Sequence, residues 1–150
     1  MLVNDLMATD LKTCGARDSL LEAAELMWDH DIGAVVVVDE HQVIGMLTDR
    51  DIAMAAFLSN LPLAQLSVGD SMSDQVVSVR LSDTVETAEQ KMAEHAVRRL
   101  PVLDENDALV GFLSLHDLAL AAKTRASRTA LSMAEVAKTL QAVSTPRLQA

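Results

Sequence analysis

Two short segments of the chain place a hydroxyl and a carboxylate three residues apart, where an apolar run gives way to a helical pattern. They are Gly45-Met46-Leu47-Thr48-Asp49-Arg50-Asp51 and Gly111-Phe112-Leu113-Ser114-Leu115-His116-Asp117, and both fit Gly-x-Leu-(Thr/Ser)-x-x-Asp. A helix N-terminus with free amides and a hydroxyl is suited to phosphate, and a carboxylate one turn later can accept hydrogen bonds from ribose hydroxyls. The alternative is that each pair only caps its helix. The spacing alone leaves both interpretations open.

These segments belong to a longer internal repeat. Shifting the chain by sixty-five positions superposes Val3 on Val68 and Asp18 on Asp83, and one extra residue near Asp107 moves the later shift to sixty-six. A repeat of this length in only two copies is too long for a solenoid unit. It predicts two small lobes that complete one another's core, with two related clefts between them.

The hydrophobic pattern predicts the order β-α-β-β-α in each copy, and therefore an α+β fold (α/β-like) with pseudo-twofold symmetry. Each first helix has one apolar stripe, formed by Leu20, Ala23 and Met27 in copy one and by Val85, Ala88 and Met92 in copy two. Asp18 and Asp83 stand where the N-caps of these helices are expected. Pro101 has no N–H, which predicts that its strand lies at a sheet edge or starts just after it.

The predicted domain boundaries follow the repeat. Repeat 1 covers 1–58, a linker covers 59–67, repeat 2 covers 68–124 and a basic tail covers 125–150. Within the tail, Ser132 and Glu135 have capping-box spacing ahead of an apolar stripe, which predicts a helix over 132–143. That stripe must be covered by the body of the protein or by a second copy.

Composition excludes several functions. The net charge of the 150 residues is −10, although five of the 12 Lys and Arg residues lie within 123–150. An acidic body argues against nucleic-acid binding, because phosphate contacts need a surplus of cations. The longest apolar runs are too short to span a membrane, and with one cysteine, Cys14, no internal disulfide can form. We therefore expect a cytoplasmic protein.

Catalytic constellations are not recognisable in the sequence. No nucleophile is spaced with a base, and His30 and His95 lack further donors at the spacing that a metal site needs. Cys14 is predicted to be a small buried residue rather than a reactive thiol. The sequence therefore predicts no enzyme activity, no catalytic residue and no metal site.

The repeat, the two junctions and Arg98-Arg99-Leu100-Pro101-Val102 together resemble a tandem pair of CBS (cystathionine-β-synthase) domains, the Bateman module. In copy one, Thr48-Asp49-Arg50-Asp51-Ile52 is similar to small stand-alone bacterial CBS-pair proteins. The resemblance extends from about Val3 to Ala122. It implies a regulatory module that binds AMP, ADP, ATP or a related adenosyl compound in clefts between the repeats and needs no cofactor. Such proteins commonly pair as disc-shaped dimers, so a homodimer with an unidentified protein partner is expected.

The resemblance also assigns roles to individual residues. Asp51 and Asp117 would hold ribose hydroxyls, while Thr48 and Ser114 would help to hold phosphate. The adenine edge would be read by backbone groups near Thr13 or Ser78, which completes the expected set of ligand-binding positions.

The basic pair distinguishes the two copies. Arg98 and Arg99 are either countercharges for an acidic body or a clamp for a ligand phosphate, and we favour the clamp. Copy one has Gly33-Ala34 at the matching positions, so the two clefts cannot be electrostatically equal. We expect the better phosphate site to combine this pair with Thr48 and Asp51. The competing hypothesis is a ligand-free dimeric scaffold with vestigial clefts.

Overall fold

The computed structural model describes residues 1–124 and 132–145. The chain divides into two compact units, which we call the N-unit, Lys12–Val76, and the C-unit, Met1–Leu11 with Val77–Ala150. The residues 125–131 and 146–150 of the predicted basic tail lie outside the described part. Each unit is an α+β structure with one three-stranded sheet, which confirms the predicted fold class.

The N-unit contains one copy of the predicted β-α-β-β-α order followed by a short helix. Its elements are β1 (Thr13–Cys14), α1 (Leu20–Asp29), β2 (Ala34–Asp39), β3 (Gln42–Thr48), α2 (Asp49–Ser59) and α3 (Val68–Ser71), with a 3₁₀ turn at Leu63–Gln65. The sheet order is β1-β2-β3, in which β1 and β2 are parallel and β2 and β3 are antiparallel.

The C-unit repeats this order and adds a final helix. Its elements are β4 (Val79–Arg80), α4 (Val85–His95), β5 (Arg99–Leu103), β6 (Leu109–Ser114), α5 (Leu115–Thr124) and α6 (Met133–Ser144), with a 3₁₀ turn at Val3–Asp5. The sheet order is β4-β5-β6, with the same parallel and antiparallel pairs.

The segment that leads each sequence repeat packs in the unit of the other repeat. Val3 is fully buried in the C-unit core, and its N–H donates to the carbonyl of Asp83 at 2.9 Å. Val68 is fully buried in the N-unit core, and its N–H donates to the carbonyl of Asp18 at 2.9 Å. The compact units therefore differ from the sequence repeats by an exchange of these leading segments.

The helix N-caps differ from the sequence prediction by one residue. Ser19 caps α1 and forms a capping box with Glu22, while Thr84 caps α4 and accepts from the N–H of Thr87. Asp18 instead accepts from the N–H of Gly15 at 2.7 Å, and Asp83 accepts from the N–H of Arg80 at 2.9 Å. The prediction was wrong because these carboxylates stabilise the turn before the helix, which leaves the cap to the next residue.

Pro101 does not mark a sheet edge, contrary to the sequence prediction. It lies in β5, the central strand of its sheet, opposite Phe112. The backbone N–H and C=O of Phe112 bond to Ala8, so this pair needs no N–H from the proline. On the other side, β4 pairs only with Val102 and Leu103. A missing N–H at Pro101 therefore breaks no ladder hydrogen bond.

The two units differ most in what covers their helices. In the C-unit, α6 packs on both α4 and α5 and buries Val136, Thr139 and Val143. In the N-unit, the matching face of α1 and α2 carries an open groove of about 290 Å³ whose lining includes Ala24, Trp28 and Ile52. Among the described residues of the N-unit, no further helix lies on that face.

Candidate functional site

In the N-unit, the junction between β3 and α2 forms a complete capping box. The Thr48 N–H and hydroxyl both donate to Oδ2 of Asp51 at 2.8 Å, and the Asp51 N–H donates to Oγ1 of Thr48 at 3.2 Å. Both side chains are half-buried. Thr48 and Asp51 therefore cap α2, which is one of the two interpretations that the sequence left open.

In the C-unit, the junction between β6 and α5 has the same geometry. The Ser114 N–H donates to Oδ2 of Asp117 at 2.8 Å, its hydroxyl donates to the same oxygen at 2.6 Å, and the Asp117 N–H donates to Oγ of Ser114 at 3.2 Å. The two junctions thus make the same three hydrogen bonds.

Capping does not use the full hydrogen-bonding capacity of either carboxylate. In Asp51 and in Asp117 the described residues donate only to Oδ2, and an ionised carboxylate has further lone pairs on Oδ1. A half-buried carboxylate with one oxygen fixed is a suitable acceptor for a pair of ligand hydroxyls. The capping and ligand-binding roles are therefore compatible at both junctions.

The basic pair lies beside the C-unit junction. Arg99 is paired with Ser114 across β5 and β6, and the carbonyl of Arg98 accepts from the N–H of Leu115 at 2.9 Å. The Arg98 guanidinium donates to Oγ of Ser144, at the end of α6, at 3.4 Å. The predicted cleft that would join this pair to Thr48 and Asp51 stays a prediction.

The matching positions of the N-unit are uncharged. Ala34 pairs with Thr48, and the carbonyl of Gly33 accepts from the N–H of Asp49 at 3.2 Å. The two junctions therefore make the same backbone contacts. At these two matching positions, only the C-unit has cations.

The two candidate adenine-reading positions are not equivalent either. Thr13 is exposed at the start of β1, opposite Val36. Ser78 precedes β4, and its carbonyl accepts from Nζ of Lys91 at 2.9 Å. Sequence reasoning missed Lys91, although a lysine at the position matching Leu26 of copy one was a usable signal. The Ser78 carbonyl is therefore already engaged by a lysine of its own unit.

The glycine of each junction motif has a packing role. A Cβ on Gly45 would overlap Sδ of Met72, and a Cβ on Gly111 would overlap Sδ of Met7. Next to these methionines, Ser73 exchanges backbone hydrogen bonds with Met46 of β3. Because these glycines have no side chain, the exchanged leading segments can pack closely against β3 and β6.

Cys14 and the side chains that could ligate a metal were candidate reactive groups in the sequence. Burial, with the nearby Asp18 carboxylate, raises the pKa of Cys14 to about 11, so its thiol is protonated at neutral pH. Among residues 1–124 and 132–145, no group of three His, Cys, Asp or Glu side chains is placed to share a metal ion. In the same part of the chain, every helix is too short or too polar to cross a membrane.

The fold and the paired junctions define a tandem CBS-domain protein. The family model for the CBS domain matches residues 3–57 and 68–123, and the chain belongs to this family. Both matches include the junction motif of their repeat, which is where the two carboxylates lie.

Several proteins of known sequence or structure are similar to this chain. The CBS domain-containing protein YhcV of Bacillus subtilis is 42% identical over 118 residues, which cover 79% of this chain and 83% of YhcV. Hypoxic response protein 1 of Mycobacterium tuberculosis is 34% identical over 116 residues, covering 77% of this chain and 80% of that protein. A crystal structure of the CBS domain pair of protein MJ0100, in complex with 5′-methylthioadenosine and S-adenosyl-L-methionine, has a TM-score of 0.71 at 26% identity, and the match covers 80% of this chain and 98% of that one.

Proposed function

We propose that this protein is a non-catalytic regulatory module that binds an adenosyl compound at its β–α junctions and requires no cofactor. The observation that carries the proposal is the pair of matching junctions, each with a half-buried carboxylate whose Oδ1 accepts no hydrogen bond from the described residues. The adenosyl ligands of the MJ0100 pair support the same ligand class. The candidates are AMP, ADP, ATP, S-adenosylmethionine and 5′-methylthioadenosine.

Each named residue has a physical role in this proposal. Asp51 and Asp117 accept hydrogen bonds from ribose hydroxyls, and Thr48 and Ser114 present helix N-termini to phosphate or to another polar ligand group. Arg98 and Arg99 supply fixed guanidinium donors for phosphate. The location of the ligand in a cleft between the repeats remains a prediction from the family resemblance.

Regulation requires that the ligand favour one conformation over another. A preference of about 1.4 kcal/mol shifts the equilibrium tenfold, and one hydrogen bond to a charged group supplies that much. The charged junctions described above therefore have enough interaction energy for a regulatory response.

Thermal shift assays on three variants separate ligand binding from helix capping. Asp51→Ala and Asp117→Ala remove the proposed ribose acceptors together with a capping carboxylate. Glu22→Ala is the matched control, because Glu22 completes the same capping box on α1 with a 2.8 Å bond from the Ser19 N–H. We expect an adenosyl ligand to stabilise the wild type and the control. At least one of the two aspartate variants should show no such stabilisation. Equal stabilisation of all three variants would contradict the assignment of the site.

We further propose that the open face of the N-unit pairs with a second copy of the chain. Trp28 is 87% exposed on α1, and Phe57 and Leu58 are 76% and 79% exposed on α2. Large exposed apolar side chains on two helices that contact each other are typical of an interaction surface. At the matching C-unit positions the sequence has Ala93, Lys123 and Thr124.

The charges near this face favour a second copy over a partner of opposite charge. Arg50 and Asp49 are both exposed at the start of α2, so the same surface offers a cation and an anion. A twofold axis can then bring the cation of one copy to the anion of the other. The apolar centre with a rim of both signs is the arrangement that a self-complementary interface needs.

Sedimentation velocity tests the dimer. We expect the wild type to sediment as a dimer and the double variant Trp28→Glu/Phe57→Glu as a folded monomer. Leu140→Glu is the control, because Leu140 is an exposed apolar residue on α6 of the C-unit. A monomeric wild type, or a double variant that remains dimeric, would contradict the proposal.

A further inference from the structure

Helix α6 covers the α4 and α5 face of the C-unit through one apolar stripe. Val136 and Val143 belong to the buried C-unit core, and Thr139 is buried between them on the same side of the helix. Met133 and Leu140 lie at the edge of this stripe and are exposed, and the far side of the helix carries the exposed residues Ala137 and Gln141. The helix is therefore bound to the core along one side only, and its attachment depends on what lies beneath that side.

A glutamate lies under this helix. Glu89 of α4 is 8% exposed, and its Oε1 has no hydrogen-bond partner among the described residues. The matching residue of the N-unit is Ala24, which lines the open groove. A buried ionised carboxylate without a partner is costly, whereas the protonated form is tolerated. The chain thus has an ionisable group at the covered position and none at its open counterpart.

The surroundings of Glu89 disfavour its ionised form. Together they raise the pKa of Glu89 to about 7. Burial is the largest cause, and the carboxylates of Glu135 and Glu86 also raise the pKa, while a hydrogen bond with Thr139 lowers it. Glu135 itself stays ionised, because hydrogen bonds from Ser132 lower its pKa.

Other charged groups on the packed elements do not compensate. Lys138 of α6 acts on Glu135. Arg99 of β5 and the α5 residues His116 and Asp117 are not among the groups that shift Glu89. Among the described side chains, ionisation of Glu89 would therefore place a third carboxylate beside those of Glu86 and Glu135, and no described cation is among the groups that shift its pKa.

We propose that α6 is a proton-gated cover of the α4 and α5 face: it stays docked while Glu89 is protonated and is released when Glu89 ionises. Release would expose the apolar surface of Leu118 and Ala121, which α6 helps to bury. It would also free Arg98 from Ser144. The cover thus controls the apolar face of the C-unit, whereas no such helix covers the matching face among the described residues of the N-unit.

The direction of the pH effect follows from linkage. In the docked state the carboxyl of Glu89 has a pKa of about 7, and in the released state it returns toward its ordinary value of 4.5. Docking is therefore at full strength below the lower value, weakens as the pH rises between the two, and stays weak above the higher value. At about tenfold per pKa unit, the docking equilibrium constant falls on the order of a hundredfold.

Hydrogen exchange of α6 in the full-length protein tests the gate. After correction for the intrinsic exchange rate, we expect the protection of α6 amides to fall between about pH 5 and about pH 8, by up to the hundredfold given above. Glu89→Gln keeps the shape of the side chain but cannot ionise, so its α6 protection should stay at the low-pH level throughout. Glu94→Gln, an exposed carboxylate on the same helix, should behave as the wild type.

A second variant keeps the test decisive if the glutamine substitution disturbs folding. Glu89→Ala reproduces the residue found at the matching N-unit position and should also give pH-independent protection of α6. Wild-type protection that does not change with pH would overturn the proposal. So would a pH response in both Glu89 variants that equals that of the wild type.

Discussion

The helix face of the N-unit and that of the C-unit have the same backbone architecture but different coverings. In the C-unit, α6 buries the face and makes Leu118 fully inaccessible, whereas the matching Ile52 lines an open groove in the N-unit. The outward residues differ accordingly, with Trp28 of α1 matching Ala93 of α4. The comparison shows that a duplicated fold can have one helix face covered by a further helix of the chain while the matching face carries an open groove.

The two β–α junctions, unlike the helix faces, are nearly the same in both units. Thr48 with Asp51 and Ser114 with Asp117 make the same three hydrogen bonds. The difference lies in the neighbouring strand, where Arg99 replaces the alanine of the other unit. The two junctions therefore share their hydrogen-bond geometry and differ in the charge that lies beside them.

The largest effect should come from the core leucine of each motif. Leu47 and Leu113 are both fully buried, so Leu47→Ala and Leu113→Ala should each lower the free energy of unfolding by about 2–5 kcal/mol. Urea titration followed by circular dichroism measures both. A loss far below this range in one unit alone would break the equivalence of the two cores.

A smaller loss is expected at the motif glycines. Gly45→Ala and Gly111→Ala push against Met72 and Met7, and overpacking of this kind costs about 1–3 kcal/mol. Gly15→Ala is the control, because the atom nearest to a Cβ at that position is an Asp18 oxygen at 3.7 Å. Neutral substitutions at both motif glycines would show that the leading segments do not need this close approach.

The capping hydroxyls should contribute less again. Thr48→Ala and Ser114→Ala should each cost about 1 kcal/mol, because each removes the acceptor for one helix N–H. Thermal denaturation without ligand checks this value. Clearly unequal losses would mean that the two junctions are not the matched pair that their geometry indicates.

The smallest effect is expected at an ion pair with no counterpart in the N-unit. Arg80 of β4 pairs with Asp107, where copy two has its extra residue, and both side chains are largely exposed. Arg80→Ala should therefore change the free energy of unfolding by less than about 1 kcal/mol. A larger loss in urea titration would show that the longer turn of copy two depends on this contact.

Local patterns in the sequence predicted much of this structure. The apolar stripes of the first helices, the two junction motifs and the β-α-β-β-α order all depend on residues close together in the chain, and the structure has them. The caps were displaced by one residue because Asp18 and Ser19 both suit an N-cap, and only the turn made by Gly15 decides between them. Pro101 was misassigned because the partner that makes its missing N–H harmless, Ala8, lies far away in sequence.

Long-range features of the site were beyond sequence reasoning. The exchange of the leading segments, the contact of Lys91 with the Ser78 carbonyl and the burial of Glu89 beneath α6 each join residues from separate elements. Periodicity and spacing carry no information about such pairs. The assignment of ligand roles to the junction residues still rests on the family resemblance and on the open carboxylate oxygens.

The central claim is that the chain binds an adenosyl compound, and isothermal titration calorimetry tests it most directly. AMP, ADP, ATP, S-adenosylmethionine and 5′-methylthioadenosine should be titrated separately into the wild-type protein and into Asp51→Ala and Asp117→Ala. We predict a heat of binding for at least one compound, which weakens or disappears in an aspartate variant. The absence of binding by all five compounds at millimolar concentration would contradict the account and favour a ligand-free scaffold.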